Sequence, residues 1–135
     1  MRFEISGLDD VIKQMTEMEQ RTGKVADAMV AAGAGKVREA WQHSAQKHGH
    51  VRTGAMIGSI KEKIKKGDVP TAEIYPQGKD SKGVRNAEKA FILHYGTSKI
   101  QGSHWVDDAD QEAEETAIPA MTEIWDQFVA TGKAP

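Results

Sequence analysis

Residues 24–48 carry the pattern that most constrains the fold, because apolar and small side chains recur there at helical spacing. Val25, Met29 and Trp41 fall on one broad stripe, and many other positions of that stripe are alanine or glycine. Side chains this small let another backbone come close, so we expect a long helix lying tight against a sheet or a neighbouring subunit. Gly49 suits the position just after the helix, where a left-handed conformation is common.

Two shorter elements are predicted ahead of this helix. Residues 2–6 alternate apolar and polar side chains, which predicts a short strand. Residues 8–20 predict an amphipathic helix, and Thr22 and Gly23 are expected to end it. The apolar positions of this first helix are Leu8, Val11, Ile12, Met15 and Met18.

A lysine-rich β-hairpin is predicted next. Ile60 and Ile64 fall on one face of its first strand and lysines on the other, and Gly67 begins the turn. Residues 71–76 alternate in the same way and form the second strand.

The second half of the chain predicts a loop, a strand and a helix. Residues 77–88 hold two glycines and almost no apolar side chain, so we expect a long, exposed, flexible loop. Residues 90–95 are nearly all apolar, which predicts a central strand covered on both faces. Residues 107–130 predict a helix, which Pro119 either kinks or divides in two, and residues 131–135 are expected to fray.

These elements predict one α+β domain over residues 1–135. N-terminal helices, one of them long and alanine-rich, pack on a small antiparallel β-sheet, and a C-terminal helix follows. Cysteine is absent, which excludes disulfides and thiolate metal sites, and the net charge of −2 gives no overall basic excess for nucleic acid. No segment has the apolar core of a signal peptide or the length of a membrane span, so we expect a soluble protein made in a cytoplasm.

Charge is segregated along the chain. Residues 36–66 hold eight Lys or Arg and two Glu, a balance of +6, whereas residues 107–126 hold eight acids and no Lys or Arg, a balance of −8. Two solvated faces would explain this, and so would complementary surfaces for self-assembly. The candidate assembly residues are Lys61, Lys63, Lys65, Lys66, Asp107, Asp108, Asp110, Glu112, Glu114 and Glu115.

Two short motifs suggest chemistry but lack the partners that the chemistry needs. Residues 31–36, AAGAGK, lack the first glycine and the final hydroxyl residue of a phosphate-binding loop. His43, His48 and His50 have no carboxylate among them and no four-residue spacing, so polar side chains near a helix end are favoured over a zinc site.

His94 and Tyr95 could act as acid and base, but no nucleophile elbow lies beside them. A packed pair is favoured, followed by a turn in which Gly96 takes a positive φ and Thr97 and Ser98 bond local backbone. The hairpin lysines could contact DNA phosphates, but no aromatic residue lies between them for base stacking.

Two motifs, in this order of elements, resemble those of the small head–tail joining or tail-completion proteins of long-tailed bacteriophages and prophages. The first matches at Val51, Arg52, Thr53, Gly54, Ala55, Ser59 and Ile60, with Met56 in place of leucine. The second matches at Tyr95, Gly96, Thr97, Ser98 and Lys99, with His94 in place of glutamate.

The resemblance covers nearly the whole chain, with two departures. His104 and Trp105 stand where the family often has a Pro-Phe pair, and Trp105 can replace the phenylalanine as an anchor. The second departure is the long loop over residues 77–88, an elaboration particular to this chain.

The resemblance implies a structural role rather than an enzyme: a ring-forming subunit at the head–tail junction or tail end of a virion. The motif residues are then structural, and no cofactor, membrane or small-molecule substrate is implied. The implied partners are copies of the chain and other neck or tail-tube proteins, with non-specific proximity to DNA. The protein would be made in the bacterial host cytoplasm and reside in the virion.

Two hypotheses about assembly follow. The basic region 36–66 of one subunit would meet the acidic helix over residues 107–126 of the next, a head-to-tail contact that closes into a ring. The loop over residues 77–88 would order on meeting a neighbouring phage protein.

Two alternatives stay open from the residues alone. One is a module that binds the nucleic-acid backbone through the hairpin lysines of residues 61–66. The other is a small hydrolase centred on His94, which requires a carboxylate partner and a pocket around the imidazole.

Overall fold

The computed structural model of the chain describes residues 8–50, 54–67 and 69–135. It is α+β, as predicted, with a long N-terminal helix, a two-stranded antiparallel sheet and a C-terminal helix. The strand predicted over residues 2–6 lies outside the described residues. In chain order the elements are α1 (Leu8–Lys47), α2 (Ala55–Ser59), β1 (Ile60–Lys65), β2 (Thr71–Pro76), α3 (Asn86–Tyr95) and α4 (Trp105–Thr131).

Helix α1 is one continuous helix of 40 residues, so the predicted break at Thr22 and Gly23 is wrong. The Thr22 hydroxyl donates to the carbonyl oxygen of Met18 at 2.8 Å, which satisfies this side chain within the helix. A glycine inside a helix costs only about 1 kcal/mol. Complete burial of Val25 in the next turn offsets that cost, so packing overrides the local signal.

Gly23 and Gly49 are expected to respond in opposite ways to alanine. A Cβ at either position would meet no atom within 4 Å, but Gly49 has a φ of +78° just after α1, as predicted, whereas Gly23 is helical. We expect Gly23→Ala to raise the free energy of unfolding by about 1 kcal/mol and Gly49→Ala to lower it by about 1 kcal/mol. Urea denaturation followed by circular dichroism measures both, and a change of the same sign at both would contradict the assigned backbone.

Helix α4 runs antiparallel to α1 and lies close to it. The carboxylate of Asp108 contacts His48 near the end of α1, whereas a Cβ built on Gly33 would lie 2.6 Å from the sulfur of Met121. The small side chains of α1 therefore permit a close contact, but its partner is α4 of the same chain, whereas a sheet or a neighbouring subunit was expected. Pro119 lies inside α4, so no new helix begins there.

Residues 90–95 form the end of helix α3, so the prediction of a central strand is wrong. Asn86, Ala90 and His94, spaced four residues apart, are buried, whereas Phe91 and Tyr95 are exposed. A short apolar run does not by itself distinguish a strand from a partly buried helix. Here one face of a helix meets the core, and two of the aromatic side chains face water.

The hairpin has the predicted faces. Ile60 pairs with Pro76 and Lys63 with Glu73, so the lysines of β1 share the outward face with alternate residues of β2. Ile60 is fully buried and joins the main hydrophobic core. The buried members of that core are Ala45, Met56, Ile57, Ile60, Ala90 and Trp105.

Candidate functional site

The second motif forms a tight turn between α3 and α4. Gly96 has φ 81° and ψ −175°, so its predicted positive φ is confirmed. The hydroxyl oxygen of Thr97 accepts hydrogen bonds from the N–H groups of Lys99 and Ile100, at 3.2 and 3.1 Å. The threonine hydroxyl therefore holds local backbone, as predicted for this turn.

Two glycines let the backbone at the two ends of this turn pass in direct contact. A Cβ on Gly96 would lie 2.4 Å from the backbone nitrogen of Gly102. A Cβ on Gly102 would lie 2.4 Å from the carbonyl oxygen of His94. The chain then crosses back to α3, where the N–H of Ser103 donates to the carbonyl oxygen of Leu93 at 2.9 Å. Backbone contacts therefore fix the path from α3 to α4.

Trp105, the first residue of α4, anchors this junction in the core. The side chain is completely buried and its indole N–H donates to the carbonyl oxygen of Ala90 at 3.3 Å. Its ring meets Trp41 of α1 edge to face, with centroids 5.5 Å apart. The hydroxyl of Ser44 donates to the carbonyl oxygen of Trp105 at 2.6 Å. Trp105 therefore ties the start of α4 to both α1 and α3.

The first motif contributes to the same core as Trp105. Gly54 precedes α2 with a φ of 72°, and α2 buries Met56 and Ile57. Ser59 donates its hydroxyl to the carbonyl oxygen of Met56 at 2.6 Å, and Ile60 then begins β1. Val51, Arg52 and Thr53 lie outside the described residues. The first motif thus reaches the core through Met56, Ile57 and Ile60, whereas Tyr95 and Thr97 of the second motif are exposed.

His94 caps the start of α4. Its Nδ1 accepts a hydrogen bond from the backbone N–H of Val106 at 3.3 Å, and its Nε2 lies 4.0 Å from a carboxylate oxygen of Asp107. The first N–H groups of a helix have no partner within the helix, so the imidazole supplies one. Because Nδ1 must offer a lone pair, the neutral ring carries its proton on Nε2, toward Asp107.

His94, His104 and Asp107 are close enough to suggest a metal site. One ligand atom from each lies within 4.8 Å of the others, and His104 has a left-handed φ of 53°. A metal on Nε2 of His94 would require the ring proton on Nδ1, where it would oppose the N–H of Val106. The arrangement therefore suits a helix cap better than a metal ligand.

The hydrogen bond from the N–H of Val106 to Nδ1 argues against a role for His94 as a general base. The Nδ1 lone pair is occupied by backbone, and the nearby Thr97 hydroxyl oxygen is engaged by two backbone N–H groups. Asp107 supplies the carboxylate that sequence reasoning did not place beside His94. A base needs a free lone pair directed at a nucleophile, and this geometry directs it at a helix terminus.

The other three histidines face the first turns of α4. His43 and His48 of α1 contact the carboxylates of Glu112 and Asp108, at 3.0 and 2.6 Å. Nε2 of His50 lies 2.8 Å from the hydroxyl of Ser103. Burial, and then the neighbouring His48, lower the pKa of His50 below its ordinary value. In the described part of the chain these three histidines do not converge on a common point for a metal.

Apart from Asp107, which lies beside His94, the acidic candidates divide into two groups. Asp108 and Glu112 contact histidines of α1, and Asp110 accepts a hydrogen bond from the indole N–H of Trp41 at 3.2 Å. These side chains help to hold α4 on α1 within one chain. Glu114 and Glu115 are exposed and remain candidates for contact with another molecule.

Lys61, Lys63 and Lys65 lie on the outward face of the hairpin, and Lys66 follows the end of β1. Lys61, Lys63, Lys65 and Lys66 are all exposed. Lys65 lies 3.6 Å from the carboxylate of Glu73, which reduces the local positive charge. Tyr75 pairs with Lys61 on the same face. Sequence reasoning missed this aromatic neighbour, because cross-strand register rather than sequence proximity brings it beside the lysines.

Asp80 organises the loop before α3. Its carboxylate accepts hydrogen bonds from the N–H groups of Lys82 and Val84, each at 2.9 Å, and pairs with Lys89 of α3. The hydrogen bond from Lys89, and then that from Val84, lower the pKa of Asp80 below its ordinary value. The last residues of the predicted loop, from Asn86 onward, belong to α3. Flexibility of the remaining loop stays a prediction.

Removing the Asp80 carboxylate should loosen this loop. We expect Asp80→Ala to speed tryptic cleavage at Lys82 about tenfold or more, because the carboxylate accepts two backbone hydrogen bonds within this loop and pairs with Lys89 of α3. Limited proteolysis with mass spectrometry measures the rate. Ser81→Ala, a neighbouring exposed position, serves as the control, and equal cleavage rates for wild type and Asp80→Ala would contradict this role for the carboxylate.

No family model, curated protein or solved structure matches this chain. Among the described residues, neither of the two long helices contains an apolar stretch able to cross a membrane.

Proposed function

We propose that this protein is a structural subunit of a phage or prophage virion, acting at the head–tail junction or in tail completion. The observation that carries the proposal is the number of large apolar side chains left exposed on its helices. Contiguous exposed apolar surface in a small protein is typical of an interaction site. The exposed residues include Val11, Ile12, Met15 and Met18 on α1, Phe91 and Tyr95 on α3, and Ile118, Trp125 and Val129 on α4.

The motif residues support a role in shape rather than in chemistry. Gly96 allows a backbone crossing, Thr97 bonds local N–H groups, and His94 caps α4. Backbone N–H groups thus engage both the Nδ1 lone pair of His94 and the hydroxyl oxygen of Thr97. The protein proposed here is not an enzyme and needs no cofactor or small-molecule substrate.

The proposed partners are copies of the same chain, arranged as a ring, and other neck or tail-tube proteins of the virion. In this proposal the segregated charges orient the subunits but do not supply most of the affinity between them. Exposed charge pairs contribute little to affinity and are screened by salt, so the lysine face and the exposed acids of α4 orient subunits as they meet. The loop before α3 is proposed to contact a neighbouring protein in the assembled virion.

The oligomeric state of the purified protein tests this proposal. Sedimentation velocity and native mass spectrometry over a wide concentration range should show a closed oligomer with one discrete subunit number. A protein that stays monomeric at every concentration would count against a self-assembling subunit. An activity assay is the wrong first experiment, because the proposal names no substrate.

Binding to the nucleic-acid backbone is a second candidate function, favoured by Tyr75 beside the lysines of the hairpin. One aromatic side chain next to several cations is a minimal version of the surfaces that bind single strands. A gel-shift titration should then show affinity that falls steeply with salt. Replacing Lys61 and Lys63 by glutamine should reduce that affinity, whereas the same change at Lys13 and Lys24 of α1 should not.

A further inference from the structure

Residues 79–85, here called the cation loop, form a closed turn that carries positive charge. The N–H of Asp80 donates to the carbonyl oxygen of Val84 at 2.8 Å, and the N–H of Gly83 donates to the carbonyl oxygen of Asp80 at 3.0 Å. A backbone closed in this way holds its side chains near fixed points, so a ligand that binds them pays little ordering entropy. The exposed cations of the loop are Lys79, Lys82 and Arg85.

Two of these cations lie directly opposite each other. Lys79 and Arg85 form an isolated antiparallel bridge. The backbone hydrogen bonds on either side of the bridge join the neighbouring residues and not the pair itself, so this is the closely spaced, non-hydrogen-bonded type of pair. Side chains at such a pair leave the same face with Cβ atoms about 4.5–5.5 Å apart, and like charges placed there repel. An anion bound between the two side chains would remove that repulsion.

The carboxylates of the chain do not neutralise these cations. Asp80, the acid within the loop, pairs instead with Lys89 of α3. Within residues 8–50, 54–67 and 69–135, no carboxylate forms an ion pair with any of the three cations of the loop. Their positive charge is therefore available to another molecule.

The base of the cation loop is fastened to the start of the hairpin. The backbone N–H of Gln77 donates to the carbonyl oxygen of Ser59 at 2.9 Å, and its side-chain amide donates to the carbonyl oxygen of Lys61 at 3.2 Å. Lys61 and Lys63 are exposed and, in the described part of the chain, also lack a carboxylate partner. The cations of the loop therefore continue the positive charge of the hairpin.

We infer that the cation loop binds the sugar–phosphate backbone of nucleic acid, with Lys79 and Arg85 on either side of one phosphate. A guanidinium group can contact two phosphate oxygens at once, and a lysine adds a point charge. The inference deepens the second candidate function, on which it rests, by adding the loop to the hairpin lysines. It gives the loop a nucleic-acid partner besides the neighbouring protein proposed above.

The acidic helix of a second copy is a poorer match for these cations than its sequence suggests. At the start of α4, Asp108 and Glu112 contact histidines of α1, and Asp110 accepts a hydrogen bond from Trp41 of the same chain. Nucleic acid also offers bases that can stack on Tyr75, which pairs with Lys61 across the hairpin. An acidic helix has no group that would use this ring in the same way.

Fluorescence anisotropy with a labelled single-stranded DNA tests the inference. A variant with Lys79→Gln, Lys82→Gln and Arg85→Gln should bind at least tenfold more weakly in 50 mM NaCl. The slope of log affinity against log salt should fall in magnitude by about 2, because each phosphate contact contributes about 0.7 for a single strand. The control removes the same charge from exposed positions elsewhere and should change affinity less than twofold: Lys13→Gln, Lys24→Gln and Lys133→Gln. Equal weakening by the two variants would overturn the inference, because net charge alone would explain it.

Thermal melting tests the repelling pair without any nucleic acid. Lys79→Glu places opposite charges at the bridge, so it should raise Tm while weakening DNA binding more than Lys79→Gln does. Gain of stability together with loss of binding is a result that damage to the fold cannot produce. A lower Tm for Lys79→Glu would contradict the juxtaposition of Lys79 and Arg85.

The remaining outcomes separate the cation loop from the proposals on which it builds. If the wild-type protein binds no DNA in 50 mM NaCl, the second candidate function and this inference both fail, and the oligomeric state still tests the structural subunit. If Lys61→Gln with Lys63→Gln weakens binding and the loop variant does not, the hairpin function stands and the loop inference is wrong. If poly-L-glutamate displaces the DNA at an equal concentration of charge, an acidic protein surface is the partner and the inference is overturned.

Discussion

Replacing Trp105 with alanine is expected to lower the free energy of unfolding by about 3–5 kcal/mol, the range for removing a large buried aromatic side chain. The indole is completely buried, bonds the carbonyl oxygen of Ala90 and packs edge to face against Trp41. Its loss leaves a cavity where α1, α3 and α4 meet. Urea denaturation followed by circular dichroism at 222 nm measures the change without depending on tryptophan fluorescence.

Two control variants separate burial from the loss of an aromatic ring. Trp125→Ala removes a tryptophan of the same helix that is 43% exposed, and it should cost less than about 1.5 kcal/mol. Trp105→Phe keeps most of the ring volume and should retain the fold at a smaller cost than alanine. Equal destabilisation by Trp105→Ala and Trp125→Ala would contradict the anchoring role assigned to Trp105.

Replacing Gly96 with valine is expected to cost about 3 kcal/mol or more, since two penalties act together. The backbone at φ 81° and ψ −175° is a region that glycine alone occupies readily. A Cβ would also lie 2.4 Å from two backbone atoms, Gly102 N and Ile100 O, which cannot move as a flexible side chain can. The turn between α3 and α4 must therefore open.

Gly83→Val is the control, because it places a side chain at a positive φ without a backbone clash. Gly83 has a φ of +83°, close to that of Gly96, but a Cβ there would meet nothing within 4 Å. Its substitution should cost about 1–3 kcal/mol and leave the α3–α4 turn intact. Because a Cβ on Gly83 meets no neighbouring atom, Gly96→Val should cost more than Gly83→Val in urea denaturation. No difference would contradict the close crossing of Gly96 and Gly102.

Elements with a long period or a clear alternation could be predicted from the sequence. The small-residue stripe of α1 and the alternating faces of the hairpin are present as predicted, because burial on one side alone fixes both patterns. Local signals were less reliable. Gly23 did not end α1, and the apolar residues before Gly96 formed a helix rather than a strand, because tertiary packing decided both cases.

The junction of α3 and α4 could be predicted only in part. The positive φ of Gly96 follows from local turn chemistry, and the sequence pointed to it. The cap that His94 provides and the aromatic neighbour that Tyr75 provides depend on contacts between distant segments, which no local pattern encodes. The exposed apolar side chains of α1 and α4 show the same limit: their spacing is visible in the sequence, but only the structure shows that they are uncovered.

Electron microscopy of the purified protein at high concentration tests self-assembly most directly. Images should show closed rings of one size. Particles the size of a single 14.8 kDa chain at all concentrations, with no rings, would contradict a role for this protein as an assembling structural subunit.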